Sequence, residues 1–161
     1  KLAFKMKTHN ILSIDEFKTI IGTNSRLLGI DPGEKNVGIA ICDENHAVAT
    51  PLKTIKKNIF ANLVKEINDI ISENEIKGIV VGNPINMDGT KGKSSQRTLD
   101  FSKNLSKNIS VPIVMWDERL SSEGVFKITS ELGTNTSRRV KNLDKHAAAF
   151  ILQGAIDFLS N

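Results

Sequence analysis

Four acidic residues stand beside apolar runs, in positions from which carboxylates could do chemistry together. Asp31 closes the aliphatic run 27–30, and Asp117 and Glu118 close the apolar run 112–116. Asp144 lies three and four residues before Ala147 and Ala148, on the apolar side of the final helical pattern. Each has an ordinary explanation. A turn aspartate bonds its own backbone, an acidic pair ends in a solvated loop, and an aspartate at a helix start acts through capping or the dipole, with Asn142 as a competing cap. Taken together, carboxylates from the first strand, the last strand and the final helix converge at one end of a sheet. Such a cluster repels itself and raises its own pKa values unless a cation compensates it. Hard oxygen donors suit Mg²⁺ or Mn²⁺, and two such ions about 3.5–4 Å apart activate water and stabilise the leaving oxygen of a phosphodiester. Strand side chains alternate, so only one of Asp117 and Glu118 shares a face with Asp31, leaving the other to pair with Arg119 or a lysine. One cysteine and three scattered histidines make no tetrahedral zinc site.

Basic residues fall where a phosphate-handling site needs them. Lys91, Lys93 and Arg97 flank a loop at 83–93, and Lys35 stands in the turn beside Asp31. Arg138, Arg139, Lys141 and Lys145 precede or open the final helix, and Arg119 follows the acidic pair. These cations can grip a nucleic-acid backbone around an acidic centre that it would otherwise avoid, although any one of them is equally well a solvated surface lysine or arginine. The overall excess is modest, with a net charge of +4 and a pI near 9.2, so location matters more than total.

The elements that must position these residues follow from periodicity and punctuation. The runs 27–30 and 37–41 read as two strands of a hairpin around Pro32, Gly33, Asn36 and Gly38. Residues 47–55 form a third strand, whose Pro51 demands an edge position or a bulge. Phe60, Leu63, Val64, Ile67, Ile70 and Ile71 mark one helical stripe within 58–75. The wholly apolar run 78–82 predicts a central strand. A helix starts near Ser94 and turns Phe101 and Leu105 inward, and 112–116 forms the last strand. A further helix covers 121–132 and stops at Gly133. A polar, basic stretch fills 134–141, and a final helix covers 142–160. The expected fold is α/β: a mixed five-stranded sheet, three antiparallel strands and then two parallel, with helices on both faces. Residues 1–26 form an N-terminal extension with a capping box at Ser13–Glu16 and a short helix at 14–21.

A chain of 161 residues, 39% of them hydrophobic, supports one self-sufficient core. The lone Cys42 makes no intramolecular disulfide. No apolar run approaches the roughly 18 residues a membrane span requires, and no secretory leader is expected, which points to the cytoplasm.

From about Leu27 to Leu159 the sequence resembles the YqgF/RuvX family of the ribonuclease H-like fold. Four blocks carry the resemblance: Gly29–Gly33 with Val37–Ala40; Gly82–Gly89; Asp117–Ser121; and Leu143–Ala148 with Ile151–Gln153. It implies that 27–161 is a nuclease domain of a cytoplasmic, metal-dependent hydrolase that uses Mg²⁺ or Mn²⁺ and processes the 5′ end of pre-16S ribosomal RNA. Holliday-junction resolution is the alternative activity, and a non-catalytic RNA-binding maturation factor a third reading. By motif match Asp31, Glu118 and Asp144 take the places of the family's acidic triad, with Asp117 as a possible fourth. An actin-like phosphotransferase, which the Asp-x-Gly turn also resembles, needs two lobes around its nucleotide, more than 161 residues provide.

Overall fold

The structure, a computed structural model, describes residues 10–86, 88–120 and 136–160, the stretch 136–144 through its backbone alone. The elements run β1 (Ile11–Leu12), α1 (Ile14–Ile21), β2 (Arg26–Pro32), β3 (Asn36–Cys42), β4 (Ala49–Lys56), α2 (Phe60–Asn74), β5 (Ile76–Asn83), α3 (Lys93–Ser106), β6 (Ile113–Asp117), a 3₁₀ turn (Glu118–Leu120) and α4 (Thr136–Leu159). The helix expected at 121–132, with its stop at Gly133, lies outside the described residues.

One sheet organises the molecule, in the order β1-β6-β5-β2-β3-β4. β2, β3 and β4 are antiparallel neighbours, while β5 joins β2 and β6 in parallel. The sheet has six strands and not the expected five, because Ile11 and Leu12 pair in parallel with Ile113 and Val114 at the free edge of β6. A strand of two residues has too few alternations to leave a periodic signal. Pro51 stands in the edge strand β4, opposite a register shift at Ile39/Ala40, where its missing N–H interrupts no central ladder.

Side chains of β2 alternate between two cores. Leu27 packs with α1 and α4 against Val80, Val114, Ile151 and Leu152. Leu28 and Ile30 face α2 and α3 with Leu63, Ile67, Phe101 and Leu105. Gly29 returns to the α4 side, where a Cβ would meet Leu152 Cβ at 2.8 Å and the Ala148 carbonyl at 2.9 Å. Helix and strand touch backbone to backbone there. By the same alternation Asp31 belongs to the α4 face.

Helix α4 starts at Thr136, six residues before the expected start at 142, so Arg138, Arg139 and Lys141 stand on a helix and not in a loop. Arginine and lysine are good helix formers, but Val140 is the single apolar residue in 136–141, too little to extend the apolar stripe of the helix that far back. Further along, Gln153 bonds to Ala49 N–H and the Ala47 carbonyl. Leu159 lies beside His46, whose ring is bonded to Ser25 at the start of β2. The helix therefore runs antiparallel to β2, and positions before Ala148 head toward Asp31.

The 14–21 helix carries the expected capping box: Ser13 Oγ accepts from Glu16 N–H at 3.2 Å, and Glu16 Oε1 accepts from Ser13 N–H at 3.1 Å. Phe17 is fully buried against Gly78, whose missing side chain leaves space for the ring.

Candidate active site

Asp31 is half-buried near the end of β2, across from Gly38. The turn beyond it is tied by Gly33 N–H, which donates to the carbonyls of Asp31 (3.1 Å) and Asn36 (2.9 Å). β6 ends two strands away, beyond β5, with Asp117 in register with Asn83. Trp116 packs on the α4 face, so Asp117 turns to the other. Its carboxylate is engaged by Arg119: Nη2 donates at 2.7 Å, Nε to both oxygens at 3.0–3.1 Å, and the backbone N–H at 3.0 Å. These bonds hold the Asp117 carboxyl below the usual carboxylate range.

Glu118 opens the 3₁₀ turn and swings back to the α4 face. Its Oε2 lies 3.0 Å from where a Cβ on Gly82 would stand, and the same Cβ would collide with Ile151 Cδ1. Gly82 is thus a cradle: the central strand is bare where the carboxylate reaches across it. Burial and, secondarily, the nearby Asp117 charge push the Glu118 carboxyl above its usual range. Asp31 and Glu118 line a single cleft of about 440 Å³. Of the two acids ending β6, Glu118 shares the cleft with Asp31, and Asp117 is occupied with Arg119.

Asp144 is an interior residue of α4, eight positions past Thr136, so helix capping does not account for it. Its backbone lies four residues, about 6 Å of helical rise, ahead of Ala148. Asp31 lies two residues, about 6.6 Å of strand rise, beyond Gly29, in the same direction. Its side chain is outside the described residues, as are those of Arg138, Arg139 and Lys141. Among the described residues, no three His, Cys, Asp or Glu side chains cluster as a metal site.

The basic candidates separate. Arg97 reaches the cleft, where its Nη1 is 2.7 Å from Glu34 Oε1. Arg119 bridges Asp117 to the loop after β5, passing close to Gly89 and in the field of Asp88. That loop is more ordered than its turn residues imply. Ile85 and Lys91 form an antiparallel bridge, Asp88 accepts from the Thr90 hydroxyl and amide, and Gly89 adopts a φ of 90°. Lys35, Lys91 and Lys93 are exposed, and Lys145 is half-buried. Sequence reading missed Glu34, Lys57, Ser94 and Thr98, which also line the cleft. Only the position of Glu34, in the turn that follows Asp31, carried any signal.

The donors fit a divalent cation. Asp31 and Glu118 supply hard oxygens to one cleft, and the Gly82 cradle admits the second.

A mixed sheet of this order, with helices on both faces and acids at the ends of its parallel strands, defines a ribonuclease H-like protein. The fold is shared with Thermus thermophilus RuvC, solved in complex with a Holliday junction substrate, at a TM-score of 0.54 and 12% identity over 82% of this chain and 93% of that one. The chain belongs to the RuvX family: the family model, described as Holliday junction resolvase, matches residues 25–158. A protein of Pelagibacter ubique is 50% identical over 151 residues, 94% of this chain and all of that one. A protein of Ruegeria pomeroyi is 42% identical over 149 residues, 92% of this chain and 97% of that one. Both carry the name "Putative pre-16S rRNA nuclease".

Proposed function

We propose that the chain is a divalent-metal-dependent nuclease that hydrolyses phosphodiester bonds in precursor 16S ribosomal RNA, at the 5′ end, in the cytoplasm. The observation that carries this reading is that Asp31 and Glu118 line one cleft, at the ends of strands flanking the bare Gly82. The names of its relatives supply the substrate class. No helix among the described residues is long and apolar enough to cross a membrane.

In this reading Asp31, Glu118 and Asp144 would hold Mg²⁺ or Mn²⁺, as two ions. Such ions, when bound, supply a water of lowered pKa and neutralise charge at the phosphoryl oxygens. The chain's own residues do the rest. Asp117 occupies Arg119 and so keeps one acid of the pair out of the cluster. Gly82 lets Glu118 reach the cleft without displacing Ile151. Helix α4, seated directly on Gly29, brings Asp144 level with Asp31. Arg97 lines the cleft, and in this reading it, with Lys35, Lys91, Lys93, Arg138, Arg139, Lys141 and Lys145, offsets the charge of the backbone that approaches the acids.

A four-way DNA junction is the second candidate substrate, favoured by the description of the family. The test is cleavage of precursor 16S rRNA and of a synthetic junction by the wild type and Asp31→Asn, each with Mn²⁺ or EDTA. Metal-dependent cleavage of the precursor that Asp31→Asn lacks is the expected result. Cleavage of the junction alone would shift the substrate to DNA. Binding without cleavage of either would make the chain a maturation factor.

A further inference from the structure

The cleft that holds Asp31 and Glu118 has a second wall that the acids do not use. Helix α3 presents Ser94, Arg97, Thr98 and Phe101 to it, the i, i+3, i+4, i+7 stripe of one face. Lys57 completes this wall: its N–H donates to the Lys35 carbonyl at 2.8 Å, and its ammonium lies 5.3 Å from the centroid of the Phe101 ring.

Three independent features mark the wall as a seat for an anion. Gly92 caps α3, and no side chain among the described residues caps its first turn, leaving N–H donors and the positive end of the dipole at the cleft. Thr98 is only 4% exposed and lines the cleft, and no hydrogen bond ties its hydroxyl to the described residues. The hydroxyl opens onto the cleft, where it can donate to a ligand oxygen. Finally, Arg97 is already held as a phosphate would hold it. Glu34 Oε1 accepts from Nη1 at 2.7 Å, and Ser94 Oγ accepts from Nη2 at 3.1 Å. Both charged partners of that ion pair are exposed, so it exchanges readily for another anion.

We propose that the α3 wall is a phosphate subsite, formed by Lys57, Arg97, Thr98 and the first turn of α3. It seats a phosphodiester next to the one presented to Asp31 and Glu118. In the free protein the Glu34 carboxylate stands in for that phosphate on Arg97, and the incoming strand displaces it. The inference rests on the nucleic-acid reading of the cleft, and it deepens that reading by naming where a neighbouring backbone phosphate is held. The ligand is the backbone itself, so RNA and DNA of one sequence are held alike at this wall.

The test is binding, in EDTA, of a short fluorescent RNA and of the matching DNA across a salt series. Lys57→Gln and Arg97→Gln each weaken binding by about 5–10-fold and reduce the salt slope by about one. Thr98→Val also weakens binding without lowering the melting temperature, because it removes only a hydroxyl that no hydrogen bond ties to the described residues, and Thr98→Ser restores it. Glu34→Gln tightens binding, whereas Glu73→Gln, on helix α2, does not. Wild-type affinity and slope in Lys57→Gln and Arg97→Gln overturn the subsite, as does a wild-type protein that binds neither strand. Equal tightening by Glu34→Gln and Glu73→Gln overturns the exchange at Arg97. The nuclease reading fails separately: a wild type that never cuts, but whose variants bind in the stated order, keeps the subsite and loses the activity.

Discussion

Gly82→Ala separates packing from function at the centre of the site. The new Cβ would collide with Ile151 Cδ1 and stand 3.0 Å from Glu118 Oε2, inside the 3.4–4 Å of ordinary contact. Overpacking of this kind costs about 1–3 kcal/mol. Gly82 has no positive φ, so alanine recovers about 0.4–1 kcal/mol by restricting the unfolded chain. The midpoints leave a net loss of about 1.3 kcal/mol, or about 3–5 °C in melting temperature for a domain of this size. Ile151→Val removes the colliding methyl. Alone it costs about 0.5–1.5 kcal/mol, but in the Gly82→Ala background that cost vanishes or reverses. The Glu118 contact is untouched by this repair, so the effect of metal is not restored with the packing. Wild type gains about 2.7 kcal/mol from Mn²⁺ at a hundredfold excess over its dissociation constant, and both Gly82→Ala and the double variant gain clearly less. The assay is thermal melting of the four proteins with EDTA and with Mn²⁺. A Gly82→Ala protein that melts as wild type in EDTA and gains as much from Mn²⁺ would refute the cradle.

Glu118→Gln raises the melting temperature of the metal-free protein at pH 7. The folded pKa of Glu118 is raised, so its favourable contribution is present below the unfolded value of about 4.3 and is lost as pH rises through the folded value. The variant's advantage therefore disappears near pH 4, and a constant difference across that range would count against burial as the cause. Phe17→Ala, which empties a fully buried site over Gly78, costs about 3–5 kcal/mol while leaving the Mn²⁺-induced gain of the folded protein unchanged; a lost gain would tie α1 to the site. Cys42 is buried, accepts from Leu27 N–H, and has its thiol pushed up to about 11. It resists alkylation at pH 8 until the protein unfolds, and rapid labelling of the native protein would contradict that.

Much of this arrangement was legible in the residues because it rests on local periodicity. The β2–β3 hairpin, the apolar run of β5 and the stripe of α2 each bury a face that the pattern announces. What escaped depends on long-range contact or on too few residues. β1 is two residues long, and residues 136–141 of α4 carry arginine and lysine with Val140 as the single apolar residue, so periodicity places the helix start six residues too late. Asp117 and Glu118 were legible as candidates, but alternation alone left open which faced Asp31. Arg119 folding back on Asp117, and the bare Gly82, separate their roles. The α3 wall was invisible for a similar reason. Lys57 and Arg97 are separated by a helix, a strand and a loop, and only closure of the sheet brings them to one cleft.

The most direct test of the account is Mn²⁺ binding, measured by titration calorimetry on wild type, Asp31→Asn, Glu118→Gln and Asp117→Asn. Asp31 and Glu118 as joint ligands predict saturable binding by the wild type, its loss or severe weakening in Asp31→Asn and Glu118→Gln, and near-wild-type affinity in Asp117→Asn, whose carboxylate is engaged by Arg119. Wild-type Mn²⁺ affinity in Asp31→Asn or Glu118→Gln would contradict it.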